Sequence, residues 1–409
     1  MKNNFSIYGL PEIVKFCKKC VISNQRPTSI PEFFHSKDRK GAKYMSINTN
    51  DGICDACKQH EIKNSIDWNI REKELIKLLD KHRKNNGDYD CPIPGSGGKD
   101  SAYQAHILKY KYNMNPLIVT WPPIIYTEYG LKNYNNWINI GGFDALVVRP
   151  NGKVMRELTR LSIVNLLHPF QTFILGQKNV APKIAARFNI KLVFYGENEA
   201  EYGNPIAENN SSLRKNSYFT VKNYNKIYLA GIKISELLKK YKFKNSDLKI
   251  FLPINNSEIK KQKIEIHYLG YYLKWIPQEA FYYAVKNTGF SPRPFRTQGT
   301  FSKYNSIDDK IDDLHYYTTF IKFGIGRATY DASQEIRNNH LTREEAQNLV
   351  KKYDGEFPNK YFMEIMDYLN IKPEYFFKLC DQFRSSHLWV KKNKKWQLRH
   401  TVNNDGVDD

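Results

Sequence analysis

The chain is poor in cysteine, with six in 409 residues, which excludes a disulfide framework as its main source of stability. It also lacks any run of about 18 or more apolar residues, so no segment reads as a membrane-spanning helix. Met1 to Leu10 has no basic stretch leading into an apolar one, so no secretory leader is expected and the cytoplasm is the expected compartment. Negative charge is scarce as well. Asp and Glu number 42 against 63 Lys and Arg, a formal net charge of +21. Such an excess suits an anionic partner. The lysines, however, are scattered among Asn, Ile and Tyr rather than gathered into a stripe, which reads as a solvated surface, and nucleic acid is not the expected partner. There is no internal repeat, no G-x-x-x-x-G-K-[ST] loop, and no H-x-x-x-H pair or other metal spacing among the ten histidines, which are assigned no role.

What is present is a globular chain, 41% hydrophobic and 14% aromatic, long enough for two or three domains. Residues 1–62 are rich in Cys, Pro and Gly and read as a small metal-stapled unit. From 63 to 265 strands and helices alternate. A helix is expected from Asp67 to Asn85, then strand 89–94, helix 101–112, strand 116–121, helix 131–140, strand 144–149, helices 153–166 and 177–188, and strand 191–195. This order predicts an α/β fold with a parallel sheet covered on both faces. Residues 204–265 are polar and carry little pattern. The region 266–409 reads as mostly helical, with a capping box at Thr342 and Glu345 and helices punctuated by Pro358 and Pro373.

Four cysteines fall into two Cys-x-x-Cys pairs, Cys17 with Cys20 and Cys54 with Cys57. Each pair offers two thiolates from one knuckle, and two knuckles complete the closed tetrahedral shell of structural zinc. A redox pair is the alternative, but neither lies in a βαβ context. A full thiolate shell leaves the metal no open position for chemistry.

The sharpest motif is Ser96-Gly97-Gly98-Lys99-Asp100-Ser101, between a candidate strand and a candidate helix. Small residues let a backbone approach phosphates, and the unpaired N–H groups of a helix N-terminus attract anions. Ser96 and Ser101 add hydroxyls. Asp100 would repel phosphate alone and so makes sense as a Mg2+ ligand. Lys99 either meets a phosphate or points to solvent. The string resembles the pyrophosphate loop of the ATP pyrophosphatase superfamily. That resemblance implies cleavage of ATP between its α and β phosphates, adenylation of an oxygen, and displacement of AMP by a nucleophile. Pro92 and Pro94 depart from the β-branched residues expected before such a loop, and predict a kinked or edge-like strand end.

Further segments narrow the resemblance: Trp121-Pro122, Gly142-Phe143-Asp144, Pro150-Asn151-Gly152, Thr159-Arg160, Pro169-Phe170-Gln171, Gly176-Gln177 and the run Phe194 to Gly203, then Lys322 to Asp331. With both cysteine pairs, they make the chain similar to the N-acetyl sugar amidotransferase family, from about Cys17 to Pro205 and again at 322–331. That family is associated with bacterial surface polysaccharides, including O-antigen, and with nonulosonic acids such as pseudaminic acid. The resemblance implies conversion of a sugar acetamido group into an acetamidino group, with ammonia delivered by a separate glutaminase subunit and a cyclase-like barrel subunit as a further partner. Cys91 and Cys380, the cysteines left over, read as buried and structural, in keeping with borrowed ammonia.

The residues expected to carry the chemistry follow. Ser96, Gly97, Gly98, Lys99, Asp100 and Ser101 are expected to hold the ATP phosphates, with Asp100 on Mg2+ and Thr120 and Trp121 beside the adenine. Glu197 and Glu199, past the end of a parallel strand, are expected either to ligate a second Mg2+ position or to orient the acetamido group. Asn198 and Tyr202 are expected to hydrogen-bond the sugar. Arg293 and Arg296 suit phosphate, on a sugar nucleotide or on leaving pyrophosphate. Gly324 and Gly326 permit close packing, the approach of a phosphate, or a plain turn. Two rival readings remain: a tRNA-modifying enzyme using the same adenylation, which the basic charge favours, and a non-catalytic zinc-ribbon scaffold.

Overall fold

The structure, a computed structural model, describes residues 6–27, 31–37, 47, 51–196, 201 and 211–403. Two helices lead in. Helix α1 (Asp55–Asn64) starts at the second cysteine knuckle. Helix α2 (Trp68–His82) is capped by the Asp67 carboxylate, which accepts the N–H groups of Asn69 and Ile70, and buries Leu75 and Leu79. The sheet follows. Strands β1 (Cys91–Pro94), β2 (Pro116–Thr120) and β3 (Asp144–Val147) form a parallel ladder in the order β1-β2-β3, with Cys91 opposite Pro116 and Leu117 opposite Asp144. Strand β4 (Leu192–Tyr195) lies beside β1 and pairs in parallel with β5 (Glu265–Tyr268).

Side chains alternate across this sheet. Leu117 and Val119 join a large core beneath α5 (Gly152–Leu166) and α6 (Gln171–Arg187). Cys91, Ile93, Ile118, Leu192 and Phe194 join a second core beneath α2, α3 (Lys99–His106) and α4 (Glu128–Asn139). Burial on both faces is what makes such strands continuous apolar runs. The two prolines of β1 fit this plan. Alternate residues of a parallel strand bond to alternate neighbours, and Gly95 donates its N–H to the Val119 carbonyl on β2. Pro92 and Pro94, even-numbered where Gly95 is odd, therefore face β4, the side on which β4 ladders with β5 instead. β1 is therefore the edge of its hydrogen-bonded ladder, as the prolines predict, although β4 lies beside it.

The segment 204–265 is more structured than its pattern suggests. Its described part holds short helices at Ile234–Lys240, Asn245–Lys249 and Asn256–Gln262 and ends at β5. Each helix buries a single apolar anchor, Leu237, Leu248 or Ile259, too few to write a periodicity. Beyond it lie α7 (Pro277–Thr288), α8 (Asp312–Phe323), α9 (Arg327–Arg337), α10 (Arg343–Tyr353), α11 (Asn359–Leu369) and α12 (Pro373–Phe383), then a hairpin of β6 (Trp389–Lys392) and β7 (Lys395–Leu398). The capping box forms as read: Thr342 Oγ accepts the Glu345 N–H, and the Glu345 carboxylate accepts the Thr342 N–H. No helix of the described residues is long and apolar enough to cross a membrane.

Candidate functional site

The loop after β1 turns sharply into α3. Gly97 has φ +89°, and a Cβ there would lie 2.7 Å from the Tyr134 Cα, so only glycine fits. Gly98 is the N-cap of α3 and supplies no side-chain cap, and a Cβ on it would meet nothing within 4 Å. The first turn of α3 thus has no side-chain cap on its N–H groups, an arrangement suited to receive an anion. Ser101 Oγ donates to the Gly98 carbonyl at 3.0 Å and holds the turn. Lys99 is buried, and its Nζ meets Asp100 Oδ2 at 2.5 Å. The other carboxylate oxygen, Asp100 Oδ1, is buried and has no partner among the described residues. An orphaned carboxylate oxygen beside this glycine turn fits the donor expected for Mg2+.

The loop opens on a cavity of about 820 Å³. Its facing wall comes from far along the chain. Asp308 Oδ2 accepts a hydrogen bond from Ser96 Oγ at 2.6 Å. Asp308 reaches the loop because Gly130 of α4 lets its backbone in: a Cβ on Gly130 would lie 2.5 Å from the Asp308 Cα. The Thr127 N–H donates to the Asp308 carbonyl at 3.0 Å. Asp309 ties the same two segments, accepting the N–H groups of Ile124 at 2.6 Å and Ile125 at 3.3 Å. Burial pushes the Asp309 carboxyl up to about 7, against those donors and that of Ile311. Asp312, Lys322 and Arg327 complete this wall. Arg327 pairs with Asp331 at 2.9 Å and lies over the Tyr316 ring at 4.4 Å. Its position depends on the corner between α8 and α9. Gly324 has φ +66°, and the Gly326 N–H donates to Asp354 Oδ2 at 3.0 Å. These glycines serve packing and turning.

The loop residues line the cavity, whereas several other residues expected there lie elsewhere. Thr120 and Trp121 do not line the cavity. Both are buried, with the indole against Phe251 (ring centroids 5.4 Å apart) and over Gly176, and Trp121 lines instead a separate pocket with Pro122, Arg149 and Arg156. Arg293 is 2% exposed and points inward, its guanidinium on Thr297 Oγ1 and the Ile307 carbonyl. Arg296 is committed to Glu356 in a two-pronged pair at 2.6 and 2.8 Å. Both arginines hold the Pro-rich loop, and neither lines the cavity. Glu197, Asn198, Glu199 and Tyr202 lie outside the described residues; β4 and Gly196 lead toward the cavity rim. Asp308 and Asp312 were missed, because nothing local links an Asp-rich turn to a loop some 200 residues earlier.

The four N-terminal cysteines converge. Cys17 and Cys57 sulfurs lie 3.9 Å apart, and those of Cys20 and Cys54 lie 3.7 Å apart. A zinc tetrathiolate with bonds of about 2.3 Å has edges of roughly 3.8 Å, whereas a disulfide needs about 2.05 Å. N–H groups of Lys19, Cys20 and Cys54 point at the Cys17 sulfur at 3.3–3.5 Å. The geometry fits structural zinc. Cys91 and Cys380 are buried, and burial pushes both thiols up, Cys380 to about 12, which makes them poor nucleophiles.

Comparison with known proteins adds the following. Residues 298–403 match the family described as "LPS biosynthesis protein WbpG-like, C-terminal domain". An uncharacterized protein of Methanocaldococcus jannaschii is 42% identical over 48 residues, 12% of this chain, so the chain spans only 17% of that relative's length. Among solved structures, NMN synthetase from Francisella tularensis overlaps 75% of this chain and 94% of its own at 12% identity and TM-score 0.30. A predicted subunit of tRNA methyltransferase from M. jannaschii overlaps 59% and 90% at 14% identity and TM-score 0.26. Neither overlap is close enough to assign a fold. The family match includes the Lys322–Asp331 stretch and agrees with the resemblance carried by the motifs. Residues 298–403, which supply Asp308, Asp312, Lys322 and Arg327 to the cavity wall, are similar to the C-terminal domain of WbpG-like LPS biosynthesis proteins.

Proposed function

We propose that the chain is an ATP-dependent amidotransferase that turns the acetamido group of an N-acetyl sugar, carried as a sugar nucleotide, into an acetamidino group during bacterial surface-glycan synthesis. The observation that carries this reading is the uncapped, glycine-turned phosphate loop opening on a cavity walled by the WbpG-like domain. An amide carbon is a poor electrophile. Its oxygen becomes a good leaving group once it attacks the α-phosphorus of ATP and pyrophosphate departs. Ammonia then adds at carbon and AMP leaves with the oxygen.

In this scheme Ser96, Gly97, Gly98 and Ser101 cradle the β and γ phosphates with the N–H groups of α3. Lys99 neutralises charge there. Asp100 and Asp308 are the carboxylates set to hold Mg2+, which when bound would offset phosphate charge. Lys322 and Arg327, on the facing wall, suit the phosphates of the sugar carrier. Glu197, Glu199, Asn198 and Tyr202 remain candidates for the acetamido group. The resemblance implies ammonia from a separate glutaminase, with a cyclase-like barrel subunit as a further partner, and the chain's own cysteines, all six buried, agree with borrowed ammonia.

The basic charge favours a second substrate, tRNA, adenylated by the same loop. One assay separates the two. AMP and pyrophosphate are measured with Mg2+, ATP and excess ammonium against a panel of acetamido sugar nucleotides and against bulk tRNA. Sugar-dependent AMP, with a product in which NH replaces oxygen, is the expected result. AMP that requires tRNA would overturn the substrate and keep the adenylation. No AMP with either would remove the ATP chemistry.

A further inference from the structure

Histidine has no motif in this sequence, yet the fold gathers His35, His168 and Glu32 so that their ligand atoms lie within 4.8 Å of one another. We propose that these three residues form a second metal centre, taking a first-row divalent ion such as Zn2+, with its remaining positions open to the cavity. The proposal is independent of the substrate reading above.

The geometry is that of a shared ion. Glu32 Oε2 lies 2.9 Å from His35 Nδ1 and 3.4 Å from His168 Nε2. With metal bonds of about 2.0–2.1 Å, neighbouring ligands sit roughly 2.9 Å apart in an octahedron and 3.3 Å apart in a tetrahedron. The alternative is a plain Glu–His pair. Yet Glu32 Oε2 is buried and accepts no aligned hydrogen bond among the described residues. A carboxylate 11% exposed, beside a histidine 12% exposed, needs a compensating positive charge. Two imidazoles and one carboxylate are a donor set for late divalent metals.

The scaffold supplies the three ligands from two segments. Glu32 and His35 flank a single helical turn pinned by buried Phe33. Gln171 Nε2 donates to the Glu32 carbonyl at 2.7 Å. His168 sits at the corner between α5 and α6, after Leu167 in left-handed conformation (φ 45°). His315 of α8 stacks on His168 at 5.0 Å and covers its face. All four residues line the cavity that the phosphate loop opens on. An ion here would present Lewis acidity to a phosphoryl or carbonyl oxygen of whatever that cavity holds.

The test is metal stoichiometry on the full chain, stripped and then titrated with Co2+ and Zn2+. Wild type is expected to take two equivalents, one showing strong sulfur-to-cobalt absorption and one without it. Glu32→Gln and His168→Gln should each lose the sulfur-free equivalent, and Cys54→Ser the other. Wild type saturating at one thiolate-bound ion would overturn the proposal with no variant needed. So would a second equivalent that survives both Glu32→Gln and His168→Gln. Where a variant fails to fold, cobalt anomalous scattering from wild-type crystals decides: a peak between Glu32, His35 and His168, besides the one at the cysteines, is expected, and its absence would overturn the proposal.

Discussion

At the residue scale, Asp100 combines a buried, unpartnered oxygen with a neighbour at the anion-receiving end of α3. Asp100→Asn keeps the shape and removes the charge. It should lower AMP formation by on the order of a hundredfold or more, while zinc content stays near wild type and the unfolding midpoint falls, since buried Lys99 loses its counter-charge. Activity within a few-fold of wild type would take the loop out of the chemistry. Gly97→Ala fails differently. A Cβ at φ +89° has no room before Tyr134, and the expected loss is about 1–3 kcal/mol in denaturant unfolding. The loop was legible because its chemistry is contiguous: six residues state the turn, the donors and the metal ligand together. Asp308 and the Glu32–His35–His168 cluster were not, because tertiary contact alone joins them. Arginine type also says nothing of burial, which is why Arg293 reads as a ligand and proves to be a brace.

At the element scale, the cavity wall depends on how the Pro-rich loop before α8 is held. Arg296 grips Glu356 with two prongs and lies over the Tyr353 ring at 4.4 Å. Glu356 also accepts the Gly299 N–H at 2.8 Å. Arg296→Ala should therefore destabilise by about 1 kcal/mol, the scale of a half-exposed pair, with KM for the proposed sugar substrate unchanged. A raised KM at unchanged stability would restore Arg296 as a substrate residue. Regular elements were the most legible part of the fold, because β2 and β4 are buried on both faces and α2 and α10 carry their caps in sequence. The short helices between β4 and β5 were not, since each rests on one buried anchor and its neighbours.

At the scale of the whole molecule, the cysteine cluster is bonded to the far end of the chain. The Cys17 and Cys20 carbonyls accept from Arg343 at 3.4 and 3.3 Å. Ile325, between α8 and α9, is buried in the cluster's own core, and Gln25 Oε1 meets His387 Nε2 at 2.9 Å. The knuckles therefore buttress the helices that carry Arg327 and the cavity wall. Structural zinc contributes folding free energy directly, on the order of 10 kcal/mol in small sites. Cys54→Ser, which leaves the Glu32–His35–His168 cluster untouched, should lower Tm by many degrees and reduce AMP formation with it, even in saturating Mg2+. Calorimetry and the AMP assay on the same preparation check this. If AMP formation survives while only a minor, separate transition disappears, the cluster is a detached module and the cavity wall stands without it. A single cooperative transition shifted downward, with activity falling in step, would mean that metal binding at one end of the chain sets the shape of the site at the other.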